Sequence, residues 1–206
     1  MQEINFIFAI AVLIMSVVIH EVSHGYTAYA LGDSTAKDAG RLSLNPFRHL
    51  DLFGSFIIPV ITYLLGGFIF GWAKPVPYNP YNLRNQKWGP ALVGAAGPLS
   101  NFLVAVVFGL LIRYGSTFAF LPASFFQIAT LIVFINLILG IFNLVPIPPL
   151  DGSKILFSVF PYNWRSIETF LEQFGFIILI IFIFFFFQLL LPIVSGLFKL
   201  ITGIGF

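Results

Sequence analysis

His20-Glu21-Val22-Ser23-His24 is an HExxH pattern in a stretch where Glu21 is the one charged residue between Glu3 and Asp33. Two histidines at i and i+4 lie one turn apart on one helix face, so two imidazoles can grip a single zinc ion. The glutamate beside the first histidine can then act as general base towards a zinc-bound water. An ionisable residue inside an apolar, membrane-length segment is costly and by default marks function. The alternative is a metal-free polar cluster, but three expensive groups at ligand spacing call for a common reason.

Two histidines do not complete a site, because a catalytic zinc takes three protein ligands and keeps a fourth position open. The chain has no cysteine, which excludes thiolate ligation and disulfides. Outside the first segment the carboxylates are Asp33, Asp38, Asp51, Asp151, Glu168 and Glu172. Asp151 follows the apolar, proline-rich stretch 145–150, whose non-helical backbone could fold back towards the metal. Asp151-Gly152 is equally a common turn pair, so spacing alone leaves ligand and turn both open. His49 is a further imidazole, but beside Arg48 and Asp51 its expected role is hydrogen bonding within a loop. In the same loop, Arg41 and Asp33 are candidates for an ion pair.

The elements that must position these groups are membrane elements. The 206 residues are 59% apolar and 9% charged, against about 25% charged in a soluble domain. A net charge of +2 gives no basis for nucleic-acid binding. The sequence predicts an all-α polytopic membrane protein of about four to five transmembrane helices, organised as a single integral-membrane domain over 1–206. The first segment, 4–31, is long enough to cross a hydrocarbon core of about 30 Å. It has no basic flank of the kind that precedes a cleaved signal peptide, and reads as a retained helix. The run 52–72 is apolar but holds Pro59 and four glycines. That density disfavours a straight helix and favours a re-entrant hairpin backed by protein or a wet cavity, with a full span as the alternative. Segments 91–112 and 123–144 follow, the former opening on small residues around Gly94 to Gly97 that permit close helix approach. A last span covers 174–191, where Pro192 kinks or ends it, and the phenylalanines around 182–187 read as lipid-facing bulk. The tail 193–206 is too short for a confident separate span.

Six of the ten Lys and Arg residues lie between the first segment and 91–112. With a hairpin at 52–72 they share one side with Lys154 and Arg165, and the positive-inside rule makes that side cytoplasmic. His20 lies roughly 24 Å from the outer face at 1.5 Å per residue, so the site is expected near the cytoplasmic side of the cell membrane.

The ordered set of motifs resembles the site-2 protease family of intramembrane zinc metalloproteases. It comprises His20-Glu21-x-x-His24, Gly32-Asp33-x-Thr35-Ala36, Gly40-Arg41-Leu42, Asn45-Pro46, His49-x-Asp51, Gly97-Pro98-x-x-Asn101 and Asn143-x-x-Pro146-x-Pro148-x-x-Asp151-Gly152. The match covers about residues 10–160, in the manner of the compact bacterial branch without PDZ or CBS domains. The resemblance implies His20, His24 and Asp151 as ligands of one zinc ion and Glu21 as catalytic acid/base. It further implies a peptidase that cuts transmembrane protein or peptide substrates within the lipid bilayer. Asn101 and Asn143 are candidates for orienting the substrate backbone or stabilising an oxyanion, with interhelical hydrogen bonding as the alternative. Segment 52–72 could offer an edge for an extended substrate to pair with. Rival functions are a metal-handling membrane protein and a catalytically silent scaffold. Substrate identity and oligomeric state are not encoded in any motif.

Overall fold

A computed structural model describes residues 2–51, 54, 57, 61, 64, 74–115 and 121–205. The hairpin expected at 52–72, and the substrate-pairing edge it would offer, fall largely outside the described residues. Every regular element among those described is helical. The long ones are α1 (Gln2–Ala30), α3 (Gly89–Gly115), α4 (Ala123–Asn143) and α6 (Arg165–Phe186). Shorter helices are α2 (Thr35–Asp38), α5 (Asp151–Val159) and α7 (Leu190–Thr202). Among the described residues, four helical stretches are long and apolar enough to cross a membrane: Phe8–Ala30, Gly89–Gly115, Ala123–Asn143 and Arg165–Thr202.

The core is a three-helix contact. Ala105 and Ile112 of α3, Ala129, Val133 and Leu137 of α4, and Val194 and Phe198 of α7 form one buried cluster. Close approach of α3 and α7 depends on Gly109, because a Cβ there would run into the Ile201 side chain, the use of small residues seen wherever membrane helices pack. The tail is therefore a packed helix. The last span breaks at a 3-10 turn, Phe187–Leu189, just ahead of Pro192, which then sits in the first turn of α7, where its missing N–H costs nothing. Gly203 closes α7 at φ 77°, its N–H bonding to the Lys199 carbonyl, a left-handed cap that glycine adopts without strain. By contrast, α6 carries Phe184 and Phe185 at 73% and 75% exposure, a surface suited to lipid.

Helix α1 packs against both α3 and α4, and α5 lies against α3. A chain of amides ties the first three together. Asn136 donates to the Ser16 hydroxyl at 2.8 Å, and Asn101 donates to the Asn136 carbonyl at 2.8 Å. Asn101 and Asn136 are fully buried, and buried polar groups are tolerated when paired. Each such interhelical bond contributes about 0.6 kcal/mol in a membrane. Their larger effect is to set the register of α1 against its neighbours.

The polar segments after α1 form a clamp. Asp33 is fully buried and accepts from Thr35, Asn79 and Asn82. Arg41 donates to the carbonyls of Lys74 and Pro75. The expected Arg41–Asp33 pair is thus replaced by two separate attachments. Arg41 holds the start of the strap 74–82 and Asp33 holds its Asn79 and Asn82. His49 bonds to the Ser43 carbonyl at 2.8 Å, and its own carbonyl accepts from Lys74.

Candidate metal centre

Three helices converge on one point. Nε2 of His20 and Nε2 of His24, both from α1, lie 3.1 Å apart, and Oδ2 of Asp151 lies 3.0 Å from each. Among the described residues this is the one group of three or more potential ligands whose donor atoms all lie within 4.8 Å of one another. All three residues are buried. His49 is not part of the group.

The far side of each ring is fixed. Nδ1 of His24 faces the Val93 carbonyl at 2.6 Å, which can only accept, so Nδ1 carries the proton. Nδ1 of His20 faces Oδ1 of Asn101 at 2.6 Å. That oxygen is an acceptor because the same amide spends its N–H groups on Asn136 and on the Ser16 carbonyl. With Nδ1 as the donor in both rings, a neutral imidazole presents its Nε2 lone pair inward, towards a carboxylate oxygen. Three acceptors at 3.0–3.1 Å repel unless a cation lies among them, and two imidazoles with one carboxylate are a zinc donor set. The residues fit the metal.

Local sequence explains each placement. The 131-residue separation of His20 and Asp151 is bridged because α3 lies between α1 and α5. Gly97 of α3 faces the rings, and a Cβ there would sit 2.5 Å from Nε2 of His24. Asp151-Gly152 opens α5 rather than making a turn. The helix N-terminus favours the carboxylate, and Gly152 lets the carbonyls of Leu144 and Val145 pass where a Cβ would collide. Burial opposes ionisation of Asp151. The Lys154 ammonium, 2.8 Å from Oδ1, favours it.

Glu21, one residue along α1, turns to the other side of the centre, where Oε2 accepts from the Val76 N–H at 2.8 Å. It borders a cavity of about 140 Å³ with His20, His24, Val76, Tyr78, Asn143, Asp151 and Lys154. At about 30 Å³ per water this holds a few waters and excludes a folded helix. The two asparagines differ in placement. Asn143 lines the cavity, one N–H bonding back to the Leu139 carbonyl. Asn101 is absent from the lining and fully buried, its amide spent on His20, Asn136 and Ser16.

Sequence reasoning missed three site groups. Lys154 donates to Oδ1 of Asp151 at 2.8 Å; burial lowers its proton affinity, but the Asp151 charge more than compensates and raises it above that of ordinary lysine. Its i+3 spacing from Asp151 was an available signal. Asn136 and Ser16 carried none beyond being polar in apolar helices. The strap residues Val76 and Tyr78 sat in a loop with no chemistry of its own.

Among the described residues, an all-helical fold with four membrane-length helices and a buried His-His-carboxylate group that could hold a metal ion fits a class, the multi-pass membrane metalloproteins. Comparison with known proteins narrows it. The chain matches the model of peptidase family M50 over residues 8–123 and 114–186. YwhC of Bacillus subtilis is 40% identical over 179 residues, 84% of this chain and 78% of that protein. Rip2 of Mycolicibacterium smegmatis is 31% identical over 180 residues, 85% of this chain and 66% of that protein. MJ0392 of Methanocaldococcus jannaschii is 26% identical over 157 residues, 76% of this chain and 35% of that protein. All three carry zinc metalloprotease names. No solved structure matches. The chain belongs to peptidase family M50, and is a zinc metalloprotease with several membrane helices.

Proposed function

We propose that this protease hydrolyses peptide bonds of membrane-spanning segments, with His20, His24 and Asp151 as the ligands of one zinc ion and Glu21 as general acid/base. The observation that carries the reading is the convergence of Asp151 of α5 on His20 and His24 inside the membrane-length helix α1, His24 lying six residues (about 9 Å) before the helix end at Ala30. Zinc bound there supplies a Lewis acid that acidifies a water and polarises a carbonyl. Glu21 borders the same cavity and takes the water's proton on the carboxylate oxygen not engaged by Val76. It then returns a proton to the departing amine, as one residue can do in successive steps. Asn143 orients the substrate backbone from the cavity wall. Asn101 acts behind His20 as a positioning residue, since its amide has no group left for substrate. The substrate unwinds before cleavage, because the cavity has no room for a helix about 10 Å across.

Burial of His20 and His24 within the lipid-length helix α1 supports membrane-embedded substrates over soluble ones. The basic loops around the strap support a site opening to the cytoplasm under the positive-inside rule. Among the described residues no second ligand group marks a path across the bilayer, which speaks against a metal conductor. The test is cleavage of a model single-span substrate in liposomes by the zinc-loaded protein and by Glu21→Ala. Wild type is expected to cut and the variant to lose activity by at least 100-fold. Equal rates overturn the role of Glu21. Cleavage of a soluble unfolded peptide but of no membrane segment overturns the substrate class, and failure of both proteins on all substrates favours a silent scaffold.

A further inference from the structure

The role of Asp151 leaves one of its oxygens unexplained. Oδ2 faces both histidine Nε2 atoms, whereas Oδ1 turns away and accepts from Lys154 Nζ at 2.8 Å. A carboxylate beside a zinc ion can bind through one oxygen or chelate through both, and chelation would consume the position that a catalytic metal must keep open. The lysine is held where it can decide between these modes. Its stem passes Gly94 of α3, where a Cβ would meet Lys154 Cβ at 3.0 Å and Cδ at 3.2 Å. Its ammonium lies 5.6 Å from the centre of the Tyr78 ring, within cation–π range. The helical i,i+3 geometry at the start of α5 brings it back over Asp151. Three separate elements, α3, α5 and the strap, thus define the position of one ammonium group.

We propose that Lys154 is a positioning residue of the metal centre: by occupying Oδ1 it restricts Asp151 to one-oxygen ligation and keeps a coordination position free. This rests on Asp151 being a ligand. Side-chain partners of metal ligands typically alter affinity 10–100-fold when removed, and here the coordination number changes as well.

The experiment is cobalt(II) substitution of the purified full chain in detergent, comparing wild type with Lys154→Met and Lys154→Arg at saturating cobalt. Wild type and K154R are expected to show the intense visible bands of a four-coordinate ion. K154M is expected to show the weaker bands of a higher coordination number, with zinc affinity at least about 10-fold lower in a chelator competition. Thermal unfolding without metal checks the fold, and Lys154→Gln, also uncharged, replaces K154M under the same criterion if the latter does not fold. A wild-type spectrum in K154M overturns the inference. So does a K154R spectrum as altered as that of K154M, because the retained charge would then be irrelevant. Unchanged cobalt affinity in His20→Ala and Asp151→Ala would instead overturn the metal reading itself.

Discussion

A single methyl group at Gly97 tests whether the two α1 imidazoles share an ion. In Gly97→Ala the new carbon would lie 2.5 Å from Nε2 of His24 and 2.6 Å from Cε1 and Nε2 of His20, against 3.4 Å or more in ordinary contact. The rings would have to withdraw by about 0.8–0.9 Å, roughly four times the tolerance of about 0.2 Å on a metal–ligand distance. Neither has slack, because their opposite nitrogens are already bonded at 2.6 Å to Asn101 and to the Val93 carbonyl. Alanine favours a helix interior over glycine by about 1 kcal/mol, so weakening of α3 cannot be the cause of any loss. Displacing both histidines should reach at least the top of the 10–100-fold range seen when a ligand's partner is removed. At 1.4 kcal/mol per tenfold, 100-fold is about 2.8 kcal/mol of zinc binding. The assay is competition for zinc against a chelating dye in detergent, with Gly196→Ala as control, since nothing lies within 4 Å of that position. Wild-type zinc affinity in G97A would refute a shared ion between His20 and His24.

Other perturbations reach different parts of the same architecture. Asn101→Leu should strand Oδ1 of Asn136 and the His20 Nδ1 proton, costing about 1–3 kcal/mol of stability and about 10-fold in zinc affinity, read by thermal unfolding and metal competition. Zinc at 100 times its dissociation constant should stabilise the folded protein by about 2.7 kcal/mol. Asp151→Ala should abolish that dependence on added metal in the same melting assay. Asp33 is held below its ordinary 3.8: burial raises it, but hydrogen bonds from Thr35, Asn79 and Asn82 outweigh this. Its stabilisation is therefore present above that value and lost as pH falls through the lower folded one. Melting curves from pH 7 to 3 should show a wild-type decline at the acid end that flattens in Asp33→Asn. Leu137→Ala, in the fully buried α3–α4–α7 cluster, should cost about 2–5 kcal/mol while leaving zinc affinity unchanged.

What the sequence made legible follows contact range. His20, Glu21 and His24 are one helical turn, so periodicity alone groups them. The four long apolar runs are legible because hydropathy is a local property. Spacing alone leaves Asp151 open between ligand and turn, because its partners lie 127 and 131 residues away. The Asn136–Ser16 bond, 120 residues apart, left no local trace. Arg41 and Asp33 illustrate a different failure: opposite charges in one loop suggest each other. Backbone carbonyls and N–H groups of the strap compete for them, and sequence does not display backbone partners. The tail is too short to read as a separate span, and its length does not announce the packing of its 13-residue helix through Val194 and Phe198.

The distance in sequence between the two halves of the centre has a consequence for biosynthesis. At about 5–20 residues per second, the 131 residues from His20 to Asp151 take roughly 7–26 seconds to translate. Throughout that interval α1 is already made, yet the proposed third ligand does not exist, and neither does α5, which carries it. On the proposed ligand set, a chain made only that far is inert. Competence then arrives only once α5 has docked on α3.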